Sequence, residues 1–257
     1  MTLRQVLVSS SILALSIYAQ QTPTAPTKDA QAISILQQSV NAMASTIPSD
    51  SVASGTIQIV AGSLTTQGTI QVLTRGSTQS LVQLTTPAGT QSVIYSNGQA
   101  NELEASAVNV LPMELVVTSQ ASDFPLSLFC ALLNDPDNSF RYVALETSSG
   151  QSLNHIQTWD SYASQPALQT LTSFSTRDIW INAVTGLPQR VSYAQRPAHG
   201  GVPSVAVDVF YLNYQQFSGV LYPVTIQKSM NGTPWATIAV QNVSFNNGLT
   251  DSNFPVQ

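Results

Sequence analysis

Apolar residues recur at helical spacing near the start of the chain. From Asp29 to Ser45, the residues Ala32, Ile33, Leu36, Val40 and Met43 share one face, and Thr27 or Asp29 can cap it, which predicts one amphipathic helix. After it the period becomes two. Ile57, Ile59 and Ala61 alternate with polar neighbours between Gly55 and Gly62, Ile70, Val72 and Thr74 alternate between Thr69 and Arg75, and 81–85, 91–95 and 99–104 continue the series. Further strands fall at about 139–148, 151–162, 175–183, 187–195, 203–215, 222–230 and 234–246. The pattern predicts about twelve half-buried antiparallel strands in groups of five and seven. Asn97-Gly98 and Asn231-Gly232 supply the pair of positive φ angles that tight hairpins demand, and Gly150 and Gly186 suit longer turns.

Between the groups, residues 107–134 break the alternation. Pro112 opens a short helix through Met113, Leu115 and Val116. Asp123, with Phe124 and Pro125, provides a cap and a first-turn proline for a second helix ending at Asn134. That second helix is apolar on nearly every side, through Leu126, Leu128, Phe129, Cys130, Leu132 and Leu133. A surface helix needs one apolar stripe, so this one is expected to be covered on more than one face and to enter a cavity.

The first residues change the picture of where the chain works. Arg4 precedes an apolar stretch from Val6 to Ile17 that ends at Tyr18-Ala19-Gln20, the three-part layout of a secretory signal peptide spanning 1–19. Residues 20–28 are rich in Pro and Thr and read as a flexible leader, leaving 29–257 as one domain. The apolar stretch is shorter than the roughly 20 residues that span a bilayer, and no later segment is a better span, so no stable membrane span is expected after cleavage. A lone cysteine, Cys130, excludes an intramolecular disulfide, and its apolar surroundings make it a small buried hydrophobe. Charged residues are 8% of the chain and the formal net charge is −5, so a basic face for nucleic acid is excluded. The outward strand positions carry Gln, Ser, Thr and Asn instead of Lys and Glu, which predicts a polar, nearly uncharged surface.

Motifs for chemistry are few. There is no Gly-x-Ser-x-Gly elbow, phosphate loop or Cys-x-x-Cys. His155 lies mid-strand and His199 in a loop, and nothing in the spacing brings carboxylates to either. Glu102 and Glu104 share a strand face about 7 Å apart, a separation compatible with paired-carboxylate glycoside chemistry but equally natural for an acidic edge that discourages pairing. Asp135, Asp137, Ser139 and Glu146 imitate a calcium loop, yet Phe140 stands where its sharp turn needs glycine, so a turn into a strand is expected. No catalytic residue, metal or cofactor is predicted.

The order of elements, with the segment from Asp178 through Trp180, Asn182, Thr185-Gly186 and Leu187-Pro188 to Arg190, resembles the outer-membrane lipoprotein carrier family and its wider superfamily, known as LolA-like. Gly219 to Ile226 and Asn242 to Phe254 are similar to that family's closing strands. Asn182 departs from the pattern, standing where an aspartate is more usual. The resemblance covers residues 29–254 and implies a mainly β, α+β fold: one unclosed antiparallel half-barrel of about 11–12 strands with an N-terminal helix and a central helical lid. It implies an exported, periplasmic or alternatively extracellular, non-catalytic carrier whose partners are lipid or lipoprotein acyl chains. Ile57, Ile59, Ile70, Val72, Val93, Tyr95 and Trp180 are then candidates for the cavity wall, and Leu115, Phe124, Leu128, Phe129 and Leu132 for the lid. The family's lid-holding arginine would correspond to Arg75, the only basic residue of the first strand group. The alternative is an envelope sensor or structural module of the same fold that binds a protein partner through a sheet edge or its polar face.

Overall fold

The computed structural model describes residues 25–104, 107–113, 115, 116, 124–195 and 203–256. The proposed signal peptide 1–19, the cap Asp123 and His199 lie outside them. Helix α1 (Ala30–Met43) starts where Asp29 accepts hydrogen bonds from the N–H groups of Gln31 and Ala32. It buries Ala32, Leu36, Val40 and Met43, the stripe its periodicity marked out.

The strands are β1 (Asp50–Ala61), β2 (Leu64–Arg75), β3 (Gln79–Thr86), β4 (Gly89–Ser96), β5 (Gln99–Glu104), β6 (Ala107–Val110), β7 (Asn138–Ser148), β8 (Gln151–Asp160), β9 (Arg177–Asn182), β10 (Pro188–Gln195), β11 (Val205–Phe217), β12 (Val220–Met230) and β13 (Thr233–Phe245). They form one 13-stranded antiparallel sheet in the order β6-β5-β4-β3-β2-β1-β13-β12-β11-β10-β9-β8-β7. The sheet does not close, which makes the molecule an open half-barrel. The strand missed by the periodicity is β6, whose four residues are all exposed and therefore show no alternation.

Hairpin chemistry sets the tight turns: Asn97 and Gly98 have φ of 50° and 85°, and Asn231 and Gly232 have 49° and 75°. These are the paired positive angles that match the right-handed twist of the flanking strands. Where β1 joins β13, Gly55 is required by close approach, because a Cβ there would meet the Ala239 carbonyl oxygen at 2.1 Å. The register shifts at Ser54 and Gly55 on this seam, which joins the two strand groups.

Two meanders therefore meet at β1 and β13 and end at opposite edges, β6 and β7. The chain from β6 to β7 must cross from one edge to the other, and its residues 125–134 lie on the face that also carries α1. The core lies between this face and the helices, with Leu36, Phe129, Phe140, Ile156, Ile179, Tyr211, Ile226 and Val72 at most 2% exposed. Thr27 and Lys28, which composition assigns to a flexible leader, are held in place: the Phe140 N–H donates to the Thr27 carbonyl at 2.8 Å and Lys28 bridges Phe140.

Candidate functional site

Helix α2 (Pro125–Asn134) has the proline at its first turn and ends as its sequence indicated. Its N-cap is Phe124, which offers no side-chain hydrogen bond, so burial rather than capping holds the helix. Leu126, Leu128, Phe129, Cys130 and Leu132 are buried, and the helix packs on α1 and the covered sheet face. The Phe124 and Tyr222 rings lie 6.0 Å apart. Burial pushes the Cys130 thiol pKa up, so it stays a protonated hydrophobe. Before α2, the N–H groups of Leu115 and Val116 both donate to the Pro112 carbonyl, one helical turn with both side chains buried.

Register shows which side chains share the covered face. Ile57, Ile59, Ile70 and Val72 lie on it: Ile57, Ile70 and Val72 are buried in one cluster with Leu128, Phe129 and Leu132, and Ile59 packs against that cluster. Val93 is half-buried beside Val82, and Tyr95 is buried with Val116 and Ala100 in a smaller cluster. Trp180 differs. It is paired with His155 and Arg190 on the opposite face, while its neighbours Ile179 and Arg177 point inward. Side chains alternate along a strand, so residue 180 cannot share a face with 179. Trp180 stacks on His155 with centroids 4.4 Å apart, lies 3.5 Å from the Arg190 guanidinium, and donates from Nε1 to Glu146 at 2.9 Å.

The same outer cluster supplies the carboxylates that spacing did not promise to His155, with Glu146 at 2.6 Å from Nδ1 and Asp178 at 2.9 Å from Nε2. The Trp180 hydrogen bond holds the Glu146 carboxyl below its usual range, with the His155 contact adding to it. Arg75 does not touch the lid in any contact described. Its guanidinium donates to Gln79 and to Asp251 at 2.5 Å, tying down the C-terminal segment. Glu104 accepts a hydrogen bond from Gln91, and Glu102 faces Val93 across the strand pair. Asp135 ends α2 and Asn138 begins β7, so the calcium-loop look-alike is a helix-to-strand turn.

Among the described residues, cavities run along the lid. One of about 180 Å³ is lined by Ile47, Phe124, Leu126, Cys130, Tyr222 and Phe245, among others. A larger one of about 380 Å³ lies at the C-terminal end of α2, and Leu132, Val116, Leu168, Tyr95, Asn138, Asp160, Tyr162 and Arg177 are among its lining residues. Arg177 is 4% exposed and donates to the Ser175 carbonyl at 2.9 Å. Burial, aided by Asp135 and Asp137, pushes the Asp160 carboxyl up to about 6. The sequence reading missed Asn138, Asp160, Tyr162 and Arg177. The parity of Arg177 with Ile179 and Ile181 was the available signal.

No family model matches the chain, and no curated protein matches it. Solved structures do. A LolA superfamily protein from Nitrosomonas europaea superposes with a TM-score of 0.61 at 13% identity, covering 88% of this chain and 97% of the other. A putative outer membrane lipoprotein-sorting protein domain from Vibrio parahaemolyticus gives 0.64 at 12% identity, with coverage of 87% and 96%. A DUF1329 family protein from Desulfovibrio piger gives 0.62 at 16% identity, with coverage of 90% and 98%. At these low identities the superpositions speak for the fold alone, and they extend over nearly the whole length of the neighbours: the fold of this protein, an unclosed antiparallel sheet, is LolA-like.

Proposed function

We propose that the protein is an exported, non-catalytic carrier that shelters acyl chains of a lipid or lipoprotein against the covered sheet face. The observation that carries this reading is α2: an apolar helix without a side-chain N-cap, seated on the sheet between its two open edges. Such a helix occupies the apolar trough as a ligand would, and each acyl CH₂ that replaces it is worth about 0.8 kcal/mol. The described cavities flank the lid, so a long chain gains its full contact area by displacing α2 from Ile57, Ile70 and Val72. The lipoprotein-sorting description of the Vibrio parahaemolyticus neighbour supports this cargo class and a periplasmic setting. Among the described residues no helix is long and apolar enough to cross a membrane.

Native mass spectrometry of the purified protein before and after delipidation tests the proposal. Lipid adducts that disappear on delipidation, with uptake of a fluorescent fatty acid afterwards, are expected. An adduct-free protein that takes up no fatty acid overturns it.

A second reading is a protein-binding module, favoured by the edge strand β6, where Val108 and Val110 are exposed. Strand addition at that edge would leave lipid uptake absent and make partner binding sensitive to Val108→Pro, which removes a ladder donor.

A further inference from the structure

The cavity of about 380 Å³ is near the lower end of the 300–1,000 Å³ typical of small-ligand sites, enough for a headgroup and a few methylenes. Its walls divide by chemistry. Met113, Val116, Leu132 and Leu168 are apolar, whereas Arg177, Asn138, Tyr95 and Tyr162 bring hydrogen-bond donors. Asn138 is 3% exposed, and its side-chain amide nitrogen has no hydrogen-bond partner. A buried amide left unsatisfied is costly, and an acceptor oxygen from a ligand would remove that cost. Arg177 is a donor-only cation in the same wall, at a depth where arginine is rare. Burial raises the Tyr162 phenol, which keeps its proton and its donor role.

We infer that this cavity is a headgroup subsite that takes the acceptor-oxygen end of a single-chain acyl amphiphile, a carboxylate or an ester carbonyl, with Arg177 and Asn138 as its donors. The inference rests on the carrier reading and adds to it the polar end of the cargo. A multiply charged phosphate fits poorly, because Asp135 and Asp160 line the same cavity and Asp137 lies close enough to act on Asp160, against Arg177 and the Lys28 ammonium, which donates to the Asn138 carbonyl at 2.5 Å. A singly charged or neutral acyl head meets less repulsion. Its first methylenes lie against Leu132 at the end of the lid, and a longer tail follows the path of α2.

The test is calorimetric titration of the delipidated protein with three probes of equal chain length: laurate, methyl laurate and dodecyltrimethylammonium. Laurate and methyl laurate bind, and both lose about tenfold in affinity when a donor is removed, whereas dodecyltrimethylammonium, which has no acceptor oxygen and is drawn only by Asp135 and Asp160, is unaffected. Asn138→Ala and Tyr162→Phe, which keep the charge balance, weaken both acyl probes. Arg177→Gln weakens laurate most if a free carboxylate is the head, and weakens both equally if it is an ester. Circular dichroism confirms that each variant folds. Acyl-probe binding unchanged in Asn138→Ala and Tyr162→Phe overturns the subsite and leaves the carrier reading intact. Absence of binding by every probe removes both.

Discussion

Asp50, at the start of β1, shows how one buried charge organises a chain end. Its carboxylate accepts from the backbone N–H of Asn247 at 2.6 Å, from the Asn247 side chain at 3.0 Å, and from the N–H groups of Gly248 and Leu249 at 3.0 and 3.3 Å. Burial alone would raise its pKa, but these donors outweigh it and hold the carboxyl below 3.8. Asp50→Asn is expected to cost about 2 kcal/mol at pH 7. The native carboxyl is the stronger acid, so this stability is full above 3.8 and is lost as pH falls through the folded value. Denaturant titrations at pH 7 and pH 3 check it, the difference between wild type and variant shrinking at the lower pH. Asp160 has the opposite sign: its folded pKa of about 6 exceeds 3.8, so its burial penalty appears as pH rises between those values. Asp160→Asn keeps an acceptor for the Tyr162 N–H and is expected to stabilise the protein by about 1 kcal/mol at pH 7.5 and not at pH 4, after allowance for solvent screening. Neither behaviour was legible in the sequence, because both carboxylates take their environment from segments distant in the chain. Trp180 is a different kind of miss: its side of β9 was readable from the parity of Ile179 and Ile181.

At the scale of elements, α2 and the β1–β13 seam behave as opposites. A helix of 10 residues is marginal on its own, so α2 persists through its apolar seat. Leu128→Ser removes part of that seat at a cost of about 2–4 kcal/mol, which raises the open fraction and therefore the apparent affinity for a fatty acid. Val72→Asp damages the surface that lid and ligand both use, and weakens binding. Fluorescent fatty-acid titrations of the two variants should thus move in opposite directions; a shift of the same sign in both contradicts the lid's role as a competitor. The seam tolerates no side chain at Gly55, so Gly55→Val forces β1 off β13 and is expected to leave no cooperative unfolding transition by circular dichroism. The boundaries of α1, α2 and the Asn-Gly hairpins were legible, since periodicity, a first-turn proline and positive φ are properties of neighbours in sequence. Strand β6 was not, because four exposed residues at an edge carry no burial signal.

For the whole molecule, strand order decides what the lid can do. Because β6 and β7 are the two edges of one sheet, their connection must bridge its mouth, and the lid is attached at both ends. Hydrogen exchange should resolve this hierarchy. Central amides of β1 and β13 exchange only on global unfolding, whereas those of Leu128–Asn134 exchange by local opening, about a hundredfold faster or more. Bound laurate should speed exchange in α2 further, the reverse of ordinary ligand protection, and protection of α2 by laurate would contradict displacement. The linear chain already determined the mainly β class, the central apolar helix and the turns, because alternation and turn chemistry act over a few residues. Only the folded chain decided that β1 lies beside β13, that Glu146 and Asp178 flank His155, and that Tyr95, Asn138, Tyr162 and Arg177 line one cavity. Those meetings depend on register between segments far apart in the chain, a property that no local pattern carries.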